Sequence, residues 1–133
     1  MEGIKIQVRF SDIDVMGHVN NAVYLSYFEM ARVIFFSELL GEQWDWKKDG
    51  VLLRKTEIEY IKPLLLHEQP EIFIYTNKIG NKSFELGYEL KVLDEIRTTG
   101  SSVLVSFDST KMITTELPQK LKEVLSTLFR NEI

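Results

Sequence analysis

Ser11-Asp12-Ile13-Asp14-Val15-Met16-Gly17-His18-Val19-Asn20-Asn21-Ala22-Val23-Tyr24 is a polar, carboxylate-bearing loop set between an alternating strand and a long apolar helix. Upstream, Ile4, Ile6, Val8 and Phe10 alternate with Lys5, Gln7 and Arg9, the period of a half-buried strand. Downstream, a helix signal without Gly or Pro runs from Asn21 to about Leu40. Ser26, Glu29 and Ser37 fall on one narrow side of that helix, with Arg32 at its margin. The remaining circumference is apolar, so the helix is expected to be covered by its surroundings rather than to rest on one face. It would span roughly 30 Å.

Further out, Gly41 is placed as the residue that ends the helix. Glu42 to Asp49 is expected to form a short second helix, stopped near Gly50. Strands are predicted over Leu52 to Lys62, Glu71 to Ile79, Lys82 to Leu93 and Gly100 to Asp108. Pro63 interrupts the first of these, and Leu64-Leu65-Leu66 turns away. Gly80-Asn81 is a hairpin signal, Asp94 to Thr98 a turn, and Met112-Ile113 a short edge piece. Pro118 opens a C-terminal helix with Leu121, Val124, Leu125, Leu128 and Phe129 on one face. Strands that follow one long greasy helix predict an α+β fold in a single domain, residues 1–133. A strongly curved antiparallel sheet wrapped around the central helix would supply its cover.

With 44% hydrophobic residues the chain can bury a substantial core. It has no cysteine, which excludes disulfides, thiolate catalysis and Cys-based metal sites. His18 and His67 stand in unrelated contexts and make a poor metal site, so no metal is expected. A net charge of −4 argues against a nucleic-acid partner. No apolar run approaches the roughly 18 residues of a membrane span, and residues 1–10 alternate instead of forming a signal peptide. A cytoplasmic protein is expected. Nucleophile-elbow and dinucleotide fingerprints are missing, and Gly80-Asn81-Lys82-Ser83 lacks the pattern of a phosphate-binding loop.

The chemistry sits in the loop. Asp12 and Asp14 suit turns or a helix cap, and Ser11 and Asp12 are read as holding the loop. The seven-residue interval from Asp14 to Asn21 is too long for a simple cap. It lets the chain turn at Gly17 and set a carboxylate beside the unpaired amides of the helix start, which carry about half a positive charge. A carbonyl oxygen docked there is polarised, and the carboxylate can attack its carbon or activate a water. A thioester suits the arrangement, because a thiol with a pKa near ~8.5 leaves with less acid help than an amine. His18 reads either as a loop residue bonded to backbone or as a catalyst. Tyr24 and Tyr27 are read as core or as core with a hydroxyl at the cavity edge, and Glu29 as a solvated or paired residue in preference to a second carboxylate facing the site.

Val8 to Tyr24 resembles the opening of hot-dog-fold acyl-CoA thioesterases of the 4-hydroxybenzoyl-CoA thioesterase type. Glu59-Tyr60-Ile61-Lys62-Pro63 resembles that family's strand ending in Tyr-x-x-Pro. Gly80 to Phe84 resembles its hairpin, and Thr99-Gly100 to Phe107-Asp108 its last long strand. Together these cover nearly the whole chain. The resemblance implies that Asp14 is the catalytic carboxylate, as nucleophile or general base, and that the N–H near Asn21 polarises the carbonyl. One branch of the family has His at the position of Asn21. His18 matches the His of plant-type acyl-carrier-protein thioesterases, whose motif also reads His-Val-Asn-Asn but has Asn where this chain has Met16.

The expected activity is hydrolysis of an acyl-CoA thioester to a free acid and coenzyme A, an activity of lipid metabolism. Tyr24 and Phe28 are expected to wall the acyl groove. The resemblance puts coenzyme A contacts beside the hairpin at Lys82 and Ser83, with Arg54, Lys55, Lys62 and Lys78 as further cations. Coenzyme A enters as part of the substrate, and no separate cofactor is implied. The resemblance also implies a homodimer or homotetramer with sites at the interface. The rival readings are an acyl-carrier-protein thioesterase, a hot-dog dehydratase or hydratase using His18, and a non-catalytic acyl-CoA binder.

Overall fold

A computed structural model describes residues 3–130. The elements are β1 (Ile4–Lys5), a 3-10 turn (Phe10–Asp12), α1 (Val23–Leu40), β2 (Gly50–Tyr60), β3 (Pro70–Ile79), β4 (Ser83–Val92), β5 (Glu95–Asp108), β6 (Ile113–Thr114) and α2 (Gln119–Ser126). The strands make one curved antiparallel sheet in the order β1-β3-β4-β5-β2, with β6 on β5. This is the expected α+β arrangement of sheet, long helix and C-terminal helix. The chain gathers into two compact units. One holds the chain through Phe35 with Ile58–Ile74 and Tyr88–Gly100; the other holds Phe36–Glu57, Tyr75–Gly87 and the chain from Ser101.

In the first unit Tyr24, Tyr27, Phe28, Ala31 and Phe35 of α1 are buried, the three-and-four spacing of a single helix face. Phe28 stacks on Tyr88 with ring centroids 4.5 Å apart. Ile4 pairs with Ile72 and Lys5 with Glu71, which fixes β1 on β3. Strand geometry stops at Lys5, although Ile6 and Val8 stay buried as the alternation predicts. Phe10 breaks the alternation. It opens the 3-10 turn and stands in solvent.

Within the single chain α1 is covered on one face. Leu25, Met30, Val33 and Ile34 are exposed on the side of the helix that also carries the exposed Ser26, Glu29 and Ser37.

In the second unit Phe36, Leu40, Phe84, Leu86, Leu104, Leu117, Leu121 and Leu125 are buried. Gly41 ends α1 at φ +86°, a left-handed conformation that glycine takes without a Cβ penalty, and its N–H donates to Ser37 O at 3.0 Å. The helix expected over residues 42–49 is a set of turns. The Asp45 carboxylate accepts the Lys47 and Lys48 N–H groups at 3.0 and 3.3 Å, which competes with helical bonding. At the C-terminal end α2 stops at Ser126. Leu128 and Phe129 lie past it, where Thr76 N–H donates to Leu128 O at 3.0 Å and Phe129 bridges Thr76.

The expected turn over residues 94–98 shrinks to Leu93 and Asp94, and β5 begins at Glu95. Leu93 takes the positive φ itself, at 55°. Extended backbone at Arg97 then lets its carbonyl accept the N–H groups of Ile61 and Lys62 at 2.9 and 3.0 Å.

Candidate active site

Residues 13–19 fold back as a miniature hairpin. Ile13 bridges Val19, and Asp14 N–H donates to His18 O at 2.8 Å. Gly17 N–H closes the turn onto Asp14 O at 3.0 Å, with Gly17 at φ +79°. A three-residue loop that ends on a left-handed glycine is a standard hairpin closure. It sets Asp14 and His18 opposite each other.

The half-buried Asp14 carboxylate is divided in its duties. Oδ1 accepts Met16 N–H at 2.9 Å and, at a longer 3.4 Å, His18 N–H. Oδ2 accepts no hydrogen bond from any described residue. The turn-forming role of an Asp and an available carboxylate oxygen therefore coexist in one side chain.

The chain then enters α1. Asn20 is the cap: its Oδ1 accepts Ala22 N–H at 2.9 Å, and its carbonyl accepts Val23 N–H at 2.9 Å. Asn20 N–H donates to Asp12 O at 2.8 Å, and Val19 N–H donates to Leu64 O at 2.9 Å. Between these satisfied groups the Asn21 N–H meets no acceptor among the described residues. The Asn21 carbonyl accepts the Tyr60 hydroxyl at 2.8 Å.

Asp14, His18, Asn21 and Tyr24 line one open cavity of about 350 Å³, with Met16, Val19 and residues 60–63. The His18 ring has no hydrogen-bond partner among the described residues, so the reading of it as bonded to backbone is not realised. Tyr24 is buried, with its ring edge-on to Tyr60 at 5.0 Å and its hydroxyl accepting Leu64 N–H at 3.3 Å. Burial pushes the Tyr24 phenol pKa up.

The wall at residues 61–63 is clipped from behind. Arg97 grips Glu68 through two bonds of 2.9 and 2.6 Å and donates to Pro63 O at 2.9 Å. It also bonds Glu95, which pairs with Lys62 at 2.7 Å. The Arg97 hydrogen bond holds the Glu68 carboxyl below its ordinary pKa, against the upward push of burial.

Phe28, expected at the groove wall, lies fully buried against Tyr88 and is not among the lining residues. Lys82 and Ser83 also lie outside that set, at the β3–β4 turn. There Ser83 O accepts Gly80 N–H at 2.7 Å and Lys82 O accepts Ser106 N–H at 2.8 Å. Glu29 is exposed. Among the described residues no cluster of three or more His, Asp or Glu could hold a metal, and no helix is long and apolar enough to cross a membrane.

Sequence reasoning overlooked the cap at Asn20 and the Tyr60 hydroxyl. The first had a signal, since Asn before an apolar run is a preferred N-cap. The second joins residues 39 apart, which no local pattern reports.

The sequence profile of the thioesterase-like superfamily matches residues 8–125. The protein YsmA of Bacillus subtilis (strain 168) is 30% identical over 102 residues, 76% of this chain and 69% of that protein. A thioesterase from Thermus thermophilus, crystallised with coenzyme A and Zn, is 28% identical with a TM-score of 0.83, covering 99% of this chain and 96% of its own. The 1,4-dihydroxy-2-naphthoyl-CoA thioesterase Slr0204 from Synechocystis has the same TM-score at 15% identity, with 96% of each chain covered, and shares the hot-dog fold.

Proposed function

Since the chain belongs to the thioesterase-like superfamily and is a thioester hydrolase, we propose that it splits an acyl-CoA ester into a free acid and coenzyme A. One observation carries the reading: Asn21, whose N–H is unpaired among the described residues, and Asp14, whose Oδ2 is unclaimed among them, line the same cavity. The thioester carbonyl oxygen docks on the Asn21 N–H, where the helix start favours negative charge. Asp14 Oδ2 then takes a proton from a water that adds to the carbonyl carbon. Alternatively it adds to that carbon itself and is freed from the resulting anhydride by water. In either course the tetrahedral oxyanion collapses, the C–S bond breaks and the sulfur leaves with the electron pair. The His18 ring, unpartnered among the described residues, supplies a proton to it.

Tyr24 and Tyr60 give the acyl group an aromatic wall. Coenzyme A crystallised with the Thermus thermophilus relative supports a CoA ester, and Lys82 and Ser83 are assigned to its pantetheine and phosphates. The exposed Leu25, Met30, Val33 and Ile34 of α1 and the exposed Leu52 and Leu53 of edge strand β2 support a homodimer or homotetramer. The proposal places the enzyme in the cytoplasm.

His18-Val19-Asn20-Asn21 favours a second reading, an acyl-carrier-protein ester as substrate. Thiol release from matched CoA and carrier-protein esters separates the two. With the preferred ester, Asp14→Asn lowers kcat at least about a hundredfold. Full activity of that variant rules out the mechanism.

A further inference from the structure

Asp12 is 3% exposed, an unusual burial for a loop carboxylate, and the hydrolysis outlined above gives it no part. Its Oδ2 accepts Arg9 N–H at 3.0 Å and the Tyr27 hydroxyl at 2.7 Å, and its Oδ1 lies 3.4 Å from Arg9 Nη2. Its carbonyl accepts Asn20 N–H at 2.8 Å. The 3-10 turn is closed by the main chain, Asp12 N–H donating to Arg9 O at 2.9 Å, and capped by the Arg9 N–H, so the turn itself does not need the phenol. The phenol comes from 15 residues away, on α1, and is itself buried. Asp12 thus fastens the outgoing arm of the loop, its returning arm and the helix to one point. Asp14 lies two residues beyond that point, and Asn21 directly follows Asn20. Neither Asp12 nor Tyr27 is among the residues that line the cavity.

We propose that Tyr27 and Asp12 are a buried positioning pair that sets the Asp14 carboxylate against the Asn21 N–H for thioester hydrolysis. The proposal rests on the functional reading above. Burial opposes the Asp12 charge, but the donors from Arg9 and Tyr27 outweigh it and keep the carboxyl below its usual pKa. Removing the phenol leaves a buried anion short of a donor, and the loop shifts to solvate it. A displacement of about 1 Å at reacting groups costs on the order of a hundredfold in rate.

The test is kinetic and structural. Tyr27→Phe is expected to lower kcat by about ten- to a hundredfold with KM changed by less than about twofold. In an Asp14→Asn background the same substitution adds no further loss, because Tyr27 acts through Asp14. Asp12→Asn, which retains an acceptor for the phenol, keeps more activity than Asp12→Ala. Amide hydrogen exchange at Met16, His18 and Asn20 quickens in Tyr27→Phe while β3 and β4 are unchanged. Wild-type kcat with unchanged loop exchange overturns the proposal, as does a fully additive loss with exchange faster throughout the protein. Should Tyr27→Phe not fold, the Asp12→Asn and Asp12→Ala comparison decides by the same readouts. Wild-type protein that releases no thiol from any ester marks failure of the functional reading alone. The exchange experiment then still decides: faster loop exchange supports the pair, and unchanged exchange refutes it.

Discussion

Arg97→Ala removes the clip behind the cavity wall, and its effect can be worked from the contacts. The side chains of Arg97 and Glu68 are 13% and 12% exposed, and two parallel bonds join them. Truncation leaves Glu68 largely out of water with only the Leu65 N–H at 2.9 Å, and it strips the Pro63 carbonyl of its donor. Breaking a buried pair on one side costs about 3–5 kcal/mol. The residual exposure and the surviving Leu65 bond set the loss at the lower end, about 3 kcal/mol. The pairing of Arg97 with Glu95 adds little, since that carboxylate is 44% exposed. A loss of this size lowers the Tm of a domain of 133 residues by about 10 °C. The Arg97 main-chain carbonyl still accepts Ile61 and Lys62, so the sheet survives and the wall loosens. Urea and thermal melts read the stability, and KM is expected to rise severalfold with kcat moved by less than about twofold. Arg97→Met with Glu68→Leu together removes both charges and returns stability to within about 1 kcal/mol of wild type. A loss below about 1 kcal/mol for Arg97→Ala with unchanged KM would make the pair an ordinary surface pair and refute the clip.

Asn20→Ala deletes the helix cap onto Ala22 N–H and is expected to cost about 1 kcal/mol in a urea melt, with kcat falling as the Asn21 amide loses its support. Acid sensitivity follows from Glu68 and Asp12, whose folded pKa values are both depressed. Their contributions are complete above the ordinary values of 4.5 and 3.8 and are lost as pH falls through the lower folded values. Melts taken between neutrality and pH about 3 are expected to show stability draining below pH about 4.5, less steeply in Arg97→Ala, in which Glu68 has lost its partner.

The parts of this molecule legible in its sequence are those with a local period. Alternation marked β3 and β4 closely, the absence of Gly and Pro marked α1, and Gly41 marked its end. The interval from Asp14 to Asn21 marked the candidate site, because turn chemistry at Gly17 and helix-start amides are both local. Illegible parts depend on choices that a period does not encode. Asp45 turned its carboxylate onto its own backbone and undid a plausible helix. Leu93 took a positive φ that nothing about leucine announces. Periodicity assigned Phe28 to a face, but the choice between core and cavity was made by Tyr88, 60 positions away. The Tyr27–Asp12 and Tyr60–Asn21 bonds belong to the same class, since side-chain hydrogen bonds across long separations leave no trace in spacing.

Met16 holds Asp14 through its main-chain N–H and is one of the residues that line the cavity. Any residue except proline offers that N–H. Substitution at position 16 is therefore free to reshape the cavity lining while the Asp14 carboxylate keeps its main-chain donor. Descendants of this protein could change that lining at a single codon.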